Sequence, residues 1–316
     1  MGVEVPTLSV VIPCFRSSES IGDLTSRLIS TLDRESIDFE LLLVNDASPD
    51  DGLTWKKIIQ ACRSDPRIYG FNMQYNVGQF LSTIAGMKES KGDYVAIMDD
   101  DLQHQPEEIP TLFSKITETG ADAIIADLSQ KKHSRFRNLG TSFVDLTFAL
   151  FHGKPKGLKM SSFAIFKRPV VNSIVEHKTK RPVLNSLVLS STKNIVNVQV
   201  SHFPRESGSS GYGFRDLVRA SMDIIFYATT APLRFFSVLG ALISLSSFGY
   251  SGYLIYSYLT EGSTVPGFTT IAVLIGTLGG LNLLGMGLIG EYIERIIAET
   301  SGRPRWIISE KINDVE

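Results

Sequence analysis

The sequence predicts an α/β domain built on a mainly parallel sheet, followed by a two-helix transmembrane hairpin. Three observations predict it. Between Leu8 and Ala126 short apolar runs alternate with runs of helical spacing, the order that builds a parallel sheet with helices on both faces. From Leu233 to Gly290 only Arg234 and Glu261 are charged, although charged residues make up 20% of the chain. Three consecutive acids, Asp99, Asp100 and Asp101, follow directly on one of the apolar runs.

Each element has its own signal. Leu8–Pro13 (LSVVIP) is an apolar, β-branched run closed by proline, which predicts a buried strand. Ile21, Leu24, Leu28, Ile29 and Leu32 share one helical face. Phe39–Asn45 is a second strand, Asp51–Arg63 a second helix, Ile68–Met73 a third strand, Gln79–Lys91 a third helix and Tyr94–Met98 a fourth strand. Pro106–Glu118 opens with proline in the first turn and two early glutamates, which start a helix well. Ala121–Ala126 is a fifth strand, and Val196–Phe203 alternates as a strand does. Leu139, Phe143, Leu146 and Leu150 suit either an interfacial or a core helix. Leu217, Ile224, Ile225 and Ala228 lead straight into Pro232 and predict an amphipathic helix at the membrane surface.

Two apolar stretches, Phe235–Leu259 and Phe268–Ile289, each exceed the ~20 residues that cross ~30 Å of hydrocarbon. The segment between them holds Gly262, Pro266 and Gly267 and reads as a turn. It has no Lys or Arg, whereas Arg215, Arg219 and Arg234 precede the first stretch and Arg295, Arg303, Arg305 and Lys311 follow the second. By the positive-inside rule both flanks are cytoplasmic. The predicted plan is a cytoplasmic domain over 1–212, a juxtamembrane helix over 213–232, two spans over 233–290 and a cytoplasmic tail over 291–316. Met1–Pro6 carries no apolar signal region. Gly276, Gly279, Gly280, Gly285 and Gly287 allow close helix packing in lipid.

Charge and cysteine content exclude other classes. Lys plus Arg is 31 and Asp plus Glu 33, a net charge of −2, so no nucleic-acid partner is expected through bulk positive charge. The only cysteines, Cys14 and Cys62, form no disulfide framework and suit a reducing compartment. Cys14 reads as a small buried hydrophobe, and the five histidines show no metal-ligand spacing.

In a parallel sheet, ligands bind beyond the carboxyl ends of the strands. Those ends carry Pro13-Cys14-Phe15, Asn45-Asp46-Ala47-Ser48 and Asp99 to Gln103. Solvated loop acids are the plain alternative. However, Asp99 and Asp101 are two apart, which on an extended backbone directs both to one side, with Gln103 following. Two carboxylates and an amide oxygen are hard ligands for Mg²⁺ or Mn²⁺, ions that also take diphosphate oxygens.

The segments VVIPCF, VNDASPDD, NVGQ, MDDDLQHQPEEIP, GLIGEYIERI and RPRW, in this order, resemble glycosyltransferase family 2, in its polyprenyl-phosphate branch. The resemblance implies the glycosyltransferase A fold. It also implies inverting transfer of a sugar from a nucleotide-sugar donor, a UDP-sugar by analogy with bacterial members, to a polyprenyl phosphate such as undecaprenyl phosphate. The place implied is the cytoplasmic face of a bacterial inner membrane, with the protein a homo-oligomer, a tetramer. Carried over by position, Pro13, Phe15 and Asp46 bind the nucleotide, and Asp99, Asp101 and Gln103 hold Mg²⁺ or Mn²⁺ and the diphosphate. Arg205, in PRESGSSGY, acts with Asp99 and Asp101 in catalysis, while Arg137, Arg205 and Ser210 receive the acceptor phosphate. The chain departs from the family pattern at Asp100, where alanine is common. It departs again at Gly211, in place of a lysine, and at Leu128, in place of an arginine that Lys131, Lys132, Arg135 or Arg137 could replace.

Two other functions stay open on these residues. A processive polysaccharide synthase of the same fold would carry Q-x-x-R-W, but Gly302 stands where the glutamine belongs before Arg305-Trp306. A non-catalytic membrane scaffold would explain the departures at Gly211 and Leu128.

Overall fold

The computed structural model describes residues 7–127, 154–155, 157–179, 182–200, 267–300 and 304–313, with scattered positions between 238 and 260. The chain forms two compact units, one of Met1–Val218 with Arg303–Glu316, the other of Arg219–Gly302.

The first unit is built on an eight-stranded sheet. Its strands are β1 (Leu8–Cys14), β2 (Phe39–Asn45), β3 (Ile68–Met73), β4 (Tyr94–Ile97), β5 (Ala123–Asp127), β6 (Ala164–Lys167), β7 (Ile195–Gln199) and β8 (Ile308–Ile312). Their order is β7-β5-β6-β4-β1-β2-β3-β8. The central strands β4, β1, β2 and β3 are parallel, with Leu8 opposite both Phe39 and Tyr94 and Leu41 opposite Ile68. β1 and β2 are buried along their whole length, which is why they read as unbroken apolar runs.

The helices are α1 (Ile21–Arg34), α2 (Leu53–Ser64), α3 (Gln79–Glu89), α4 (Ile109–Thr119), α5 (Arg168–Glu176), α6 (Leu184–Ser191) and α7 (Phe268–Thr300). Alternate residues of each strand feed opposite faces of the sheet. Val10, Ile12, Leu41 and Leu43 pack with Leu24 and Leu28 of α1, Ile58 of α2 and Leu112 of α4. Val11, Leu42 and Val44 pack with Ile84 of α3, Val171 of α5 and Leu187 of α6. A Cβ on Gly86 would come within 2.4 Å of Val11 Cγ1, so glycine is what lets α3 lie this close to β1.

The sheet is mainly parallel, as expected, and two strands make it mixed: β6 runs antiparallel to both β4 and β5, and β8 antiparallel to β3. Four residues, AIFK, make β6 too short to stand out as a run. The expectation for 291–316 is corrected: this segment does not stay outside the domain. Helix α7 continues past Ile289 to Thr300, and ISEKI then joins the sheet as β8, Phe71 opposite Lys311.

In the second unit the described positions between 238 and 260 are helical, and α7 has 33 residues. Among the described residues no helix is long and apolar enough to cross a membrane. Most of the first expected span, and the expected helices at Leu139–Leu150 and Leu217–Ala228, lie outside the described residues.

Candidate active site

Backbone strain gathers at the carboxyl ends of β1, β2 and β4. Arg16 (φ 57°), Ala47 (φ 47°) and Leu102 (φ 59°) are left-handed without being glycine. Such residues are uncommon and persist where the surroundings hold them, often around functional sites.

Asp99, two residues beyond β4, is held from two sides. One carboxylate oxygen accepts the Gln79 side-chain amide at 2.6 Å, and the other accepts the Ser162 hydroxyl at 2.8 Å. Its own N–H donates to Nδ1 of His104 at 3.1 Å. His104 is buried and stacked on Phe163, with ring centroids 4.9 Å apart. The same nitrogen lies 3.8 Å from an Asp99 carboxylate oxygen.

Asp100 turns toward β1. Its Oδ2 accepts the Phe15 N–H at 3.0 Å and the Ser17 hydroxyl. Burial pushes this carboxyl up to about 6; the two hydrogen bonds oppose the rise, and Asp99 and Asp101 add to it. Asp101 accepts the N–H of Gln103 at 3.1 Å, and the side chains of both residues are partly exposed. The extended backbone expected through these acids is absent: β4 ends at Ile97, and a bend with Leu102 left-handed follows.

Asp46 is buried, and its two carboxylate oxygens accept the N–H groups of Val77 (2.7 Å) and Gly78 (2.9 Å). Asn76 donates to its carbonyl at 3.1 Å. Gly78 has φ 88°, a conformation that suits glycine. Asp46 thus anchors the loop that delivers Gln79 to Asp99.

Pro13 and Asp99 line one cleft with Gln79, Phe80, Ser162 and Leu184. Phe15 is 45% exposed beside this edge, with the Arg16 guanidinium 5.6 Å from its ring centroid. Cys14 is buried, and burial pushes its thiol well above the usual range, so it is a packing residue.

The structure therefore brings Pro13, Phe15, Asp46 and Asp99 to one edge, with Asp101 and Gln103 in the adjoining bend. Arg137, Arg205 and Ser210, and the departures at Leu128 and Gly211, lie outside the described residues. Sequence reasoning missed Gln79, Ser162 and His104 as supports of Asp99. Gln79 stands in the NVGQ segment, whereas nothing local to Ser162 marks it.

Among the described residues no three His, Cys, Asp or Glu side chains converge to hold a metal ion. A closed cage is not what the expected ion needs, because Mg²⁺ is commonly held by one or two carboxylates plus substrate phosphates. Asp99 and Asp101 supply hard oxygen donors of that kind.

The profile of Glycosyl transferase family 2 matches residues 9–174, which include Pro13, Phe15, Asp46, Asp99, Asp101 and Gln103. The chain belongs to this family. A second profile, the GtrB C-terminal hairpin, matches residues 231–296. Two relatives are the undecaprenyl-phosphate 4-deoxy-4-formamido-L-arabinose transferases of Salmonella choleraesuis (strain SC-B67) and Salmonella paratyphi B (strain ATCC BAA-1250 / SPB7). Each is 30% identical to this family 2 chain over 311 residues, covering 98% of it and 94% of the relative. The crystal structure of M. tuberculosis glucosyl-3-phosphoglycerate synthase shares the fold, with a TM-score of 0.51 at 18% identity over 70% of this chain and 78% of that one.

Proposed function

We propose that this family 2 protein transfers a sugar from a nucleoside diphosphate, a uridine diphosphate, to undecaprenyl phosphate, inverting the anomeric centre. The observation that carries the reading is the end-to-end similarity to transferases named for undecaprenyl phosphate, catalytic domain and hairpin together. The hairpin keeps the domain at the cytoplasmic face of the inner membrane, where a lipid phosphate can enter while its tail stays in the bilayer. The glycines of the second stretch suit packing within a homo-oligomer, a tetramer.

The chemistry divides simply. A phosphate monoester has a second pKa near ~6, so the attacking oxygen is largely anionic at neutral pH and needs little help from a base. It forms the new bond to the anomeric carbon as the bond to the nucleoside diphosphate breaks, and that electron pair leaves on the diphosphate. Asp99 and Asp101 would hold Mg²⁺ or Mn²⁺, which when bound neutralises charge on the diphosphate. Gln79 and Ser162 fix the orientation of Asp99 before substrate arrives. Phe15 offers an exposed ring to the nucleobase, Asp46 its remaining lone pairs to the ribose, and Arg205 and Arg137 their guanidinium groups to the phosphates.

Arg305 weighs against the processive reading. It donates to the backbone carbonyls of Val175 (2.7 Å) and His177 at the end of α5 and stacks over Trp306, a use inside the fold. The deciding experiment incubates the purified chain with undecaprenyl phosphate, Mn²⁺ or Mg²⁺ and a panel of nucleotide sugars, and weighs the lipid product. A gain of one sugar supports the proposal. Polymer indicates the synthase, and no product with any donor indicates the scaffold.

A further inference from the structure

Asp100 is the acid that the metal reading leaves unused, and its surroundings give it a different task. Three consecutive amides after β1 are accepted in turn by the bend after β4, the loop after β2 and the first turn of α2. The Phe15 N–H goes to Asp100 Oδ2 (3.0 Å), the Arg16 N–H to Ser48 Oγ (3.0 Å) and the Ser17 N–H to Thr54 Oγ1 (3.0 Å). Asp100 also takes the Ser17 hydroxyl, so it grips the turn at both ends, with left-handed Arg16 between. Thr54 passes the connection to Asp50 through a 2.5 Å hydrogen bond, and Ser48 passes it to Asn45 at 2.7 Å. The turn is thus tied to the loops after β2 and β4, and it presents outward the exposed side chains of Phe15 and Arg16.

We infer that Asp100 is a positioning residue of the donor site: it fastens the Phe15–Ser17 turn to the acidic loop and sets where Phe15 stands. It is not a ligand of the metal ion. Two donors converging on one oxygen call for an anionic or at least a carbonyl acceptor, which alanine lacks and asparagine keeps. The consequence for donor binding rests on the sugar-transfer reading; the fastening of the turn does not.

The test uses the full chain in detergent. Hydrogen exchange without substrate should be about tenfold faster in a peptide covering residues 14–18 of Asp100→Ala, near parental in Asp100→Asn, and unchanged across Phe39–Asn45 in both. Ser17→Ala, which removes the other partner, should loosen the same peptide and covers the case in which Asp100→Ala does not fold. In turnover, Asp100→Ala should raise the donor KM about tenfold, with a smaller change in kcat and an unchanged Mn²⁺ half-saturation, whereas Asp101→Asn raises the Mn²⁺ requirement. Parental exchange across residues 14–18 in both Asp100→Ala and Ser17→Ala overturns the inference. So does a Mn²⁺ requirement raised in Asp100→Ala as in Asp101→Asn. Faster exchange in a protein that binds no nucleotide upholds the fastening and counts against sugar transfer instead.

Discussion

The indole N–H of Trp55 donates to a carboxylate oxygen of Glu310 at 2.8 Å, across 255 residues of sequence. Trp55 lies on α2 and Glu310 on β8, so this bond ties strand β8 to a helix from the first third of the chain. Asn313 adds hydrogen bonds to the carbonyls of Cys62 (2.8 Å) and Ile68 (2.9 Å), and Lys311 pairs with Glu89 at 2.7 Å.

Removing β8 should therefore damage the catalytic domain itself. A chain ending at Gly302 exposes the edge of β3 and should unfold at least several degrees earlier and aggregate. Glu310→Ala strands the Trp55 donor and should cost about 1–2 kcal/mol, read as a lower thermal midpoint in detergent. An unchanged midpoint in both would mean that β8 contributes nothing to stability.

Metal dependence follows from the acidic bend. Chelation, or Asp101→Ala, should abolish transfer while the melting curve keeps its shape. Full turnover in excess EDTA would remove Asp99 and Asp101 from the role given them.

Releasing Asp99 from either support should be felt in the same assay. Ser162→Ala and Gln79→Ala each delete one charge-assisted hydrogen bond, and each should lower kcat/KM about tenfold and raise the Mn²⁺ half-saturation. Parental kinetics in both variants would show that Asp99 needs no support.

Acid stability has a separate source. Hydrogen bonds from Arg67 hold the Asp33 and Asp65 carboxyls below their usual range. In the unfolded chain these groups titrate near ~3.9, so on acidification the unfolded state takes up protons first. The stabilisation is complete above about pH 5 and is lost as pH falls through ~4 toward the lower folded-state values. Arg67→Met should flatten this acid limb in melts from pH 3 to pH 7 and cost about 1 kcal/mol at neutrality, since the pair with Asp33 is largely exposed. An acid limb of parental steepness would place the pH dependence elsewhere.

Arg205 is tested through turnover. A planar, permanently charged guanidinium suits diphosphate oxygens better than an ammonium does. Arg205→Lys should lower turnover much more than it weakens nucleotide binding, by roughly 2–4 kcal/mol. Turnover in Arg205→Ala within about threefold of the parent would make it a solvated linker residue.

The parts of the fold that were legible are those whose burial is two-sided. β1 and β2 are closed over on both faces, and their sequences show it as LSVVIP and FELLLVN. β8 is an edge strand with Ser309, Glu310 and Lys311 exposed, and it follows an apolar hairpin that draws the reading toward the membrane. β6 has only four residues in which to declare itself. In the site, Asp46 and Asp99 were legible because acids at strand ends are conspicuous. Ser162 reaches Asp99 from 63 residues away, a contact that no local spacing records. Asp100 looked like a surplus charge because its partners, Phe15 and Ser17, sit in a turn whose amides become acceptor-seeking only once the strands are in register.

Strand β8 also sets an order of events during synthesis. The sheet is contiguous in space but not in time: β8 follows β7 with the whole second unit between them. While a nascent chain folds from its N-terminal side, β3 has an open edge until the hairpin has been made. The ribosome thus delivers the strand that closes the domain only after the hairpin sequence has emerged. A chain stalled or cleaved before that point carries an unpaired strand edge, the feature that chaperones and proteases act on, so truncated copies should be cleared rather than accumulate as active fragments.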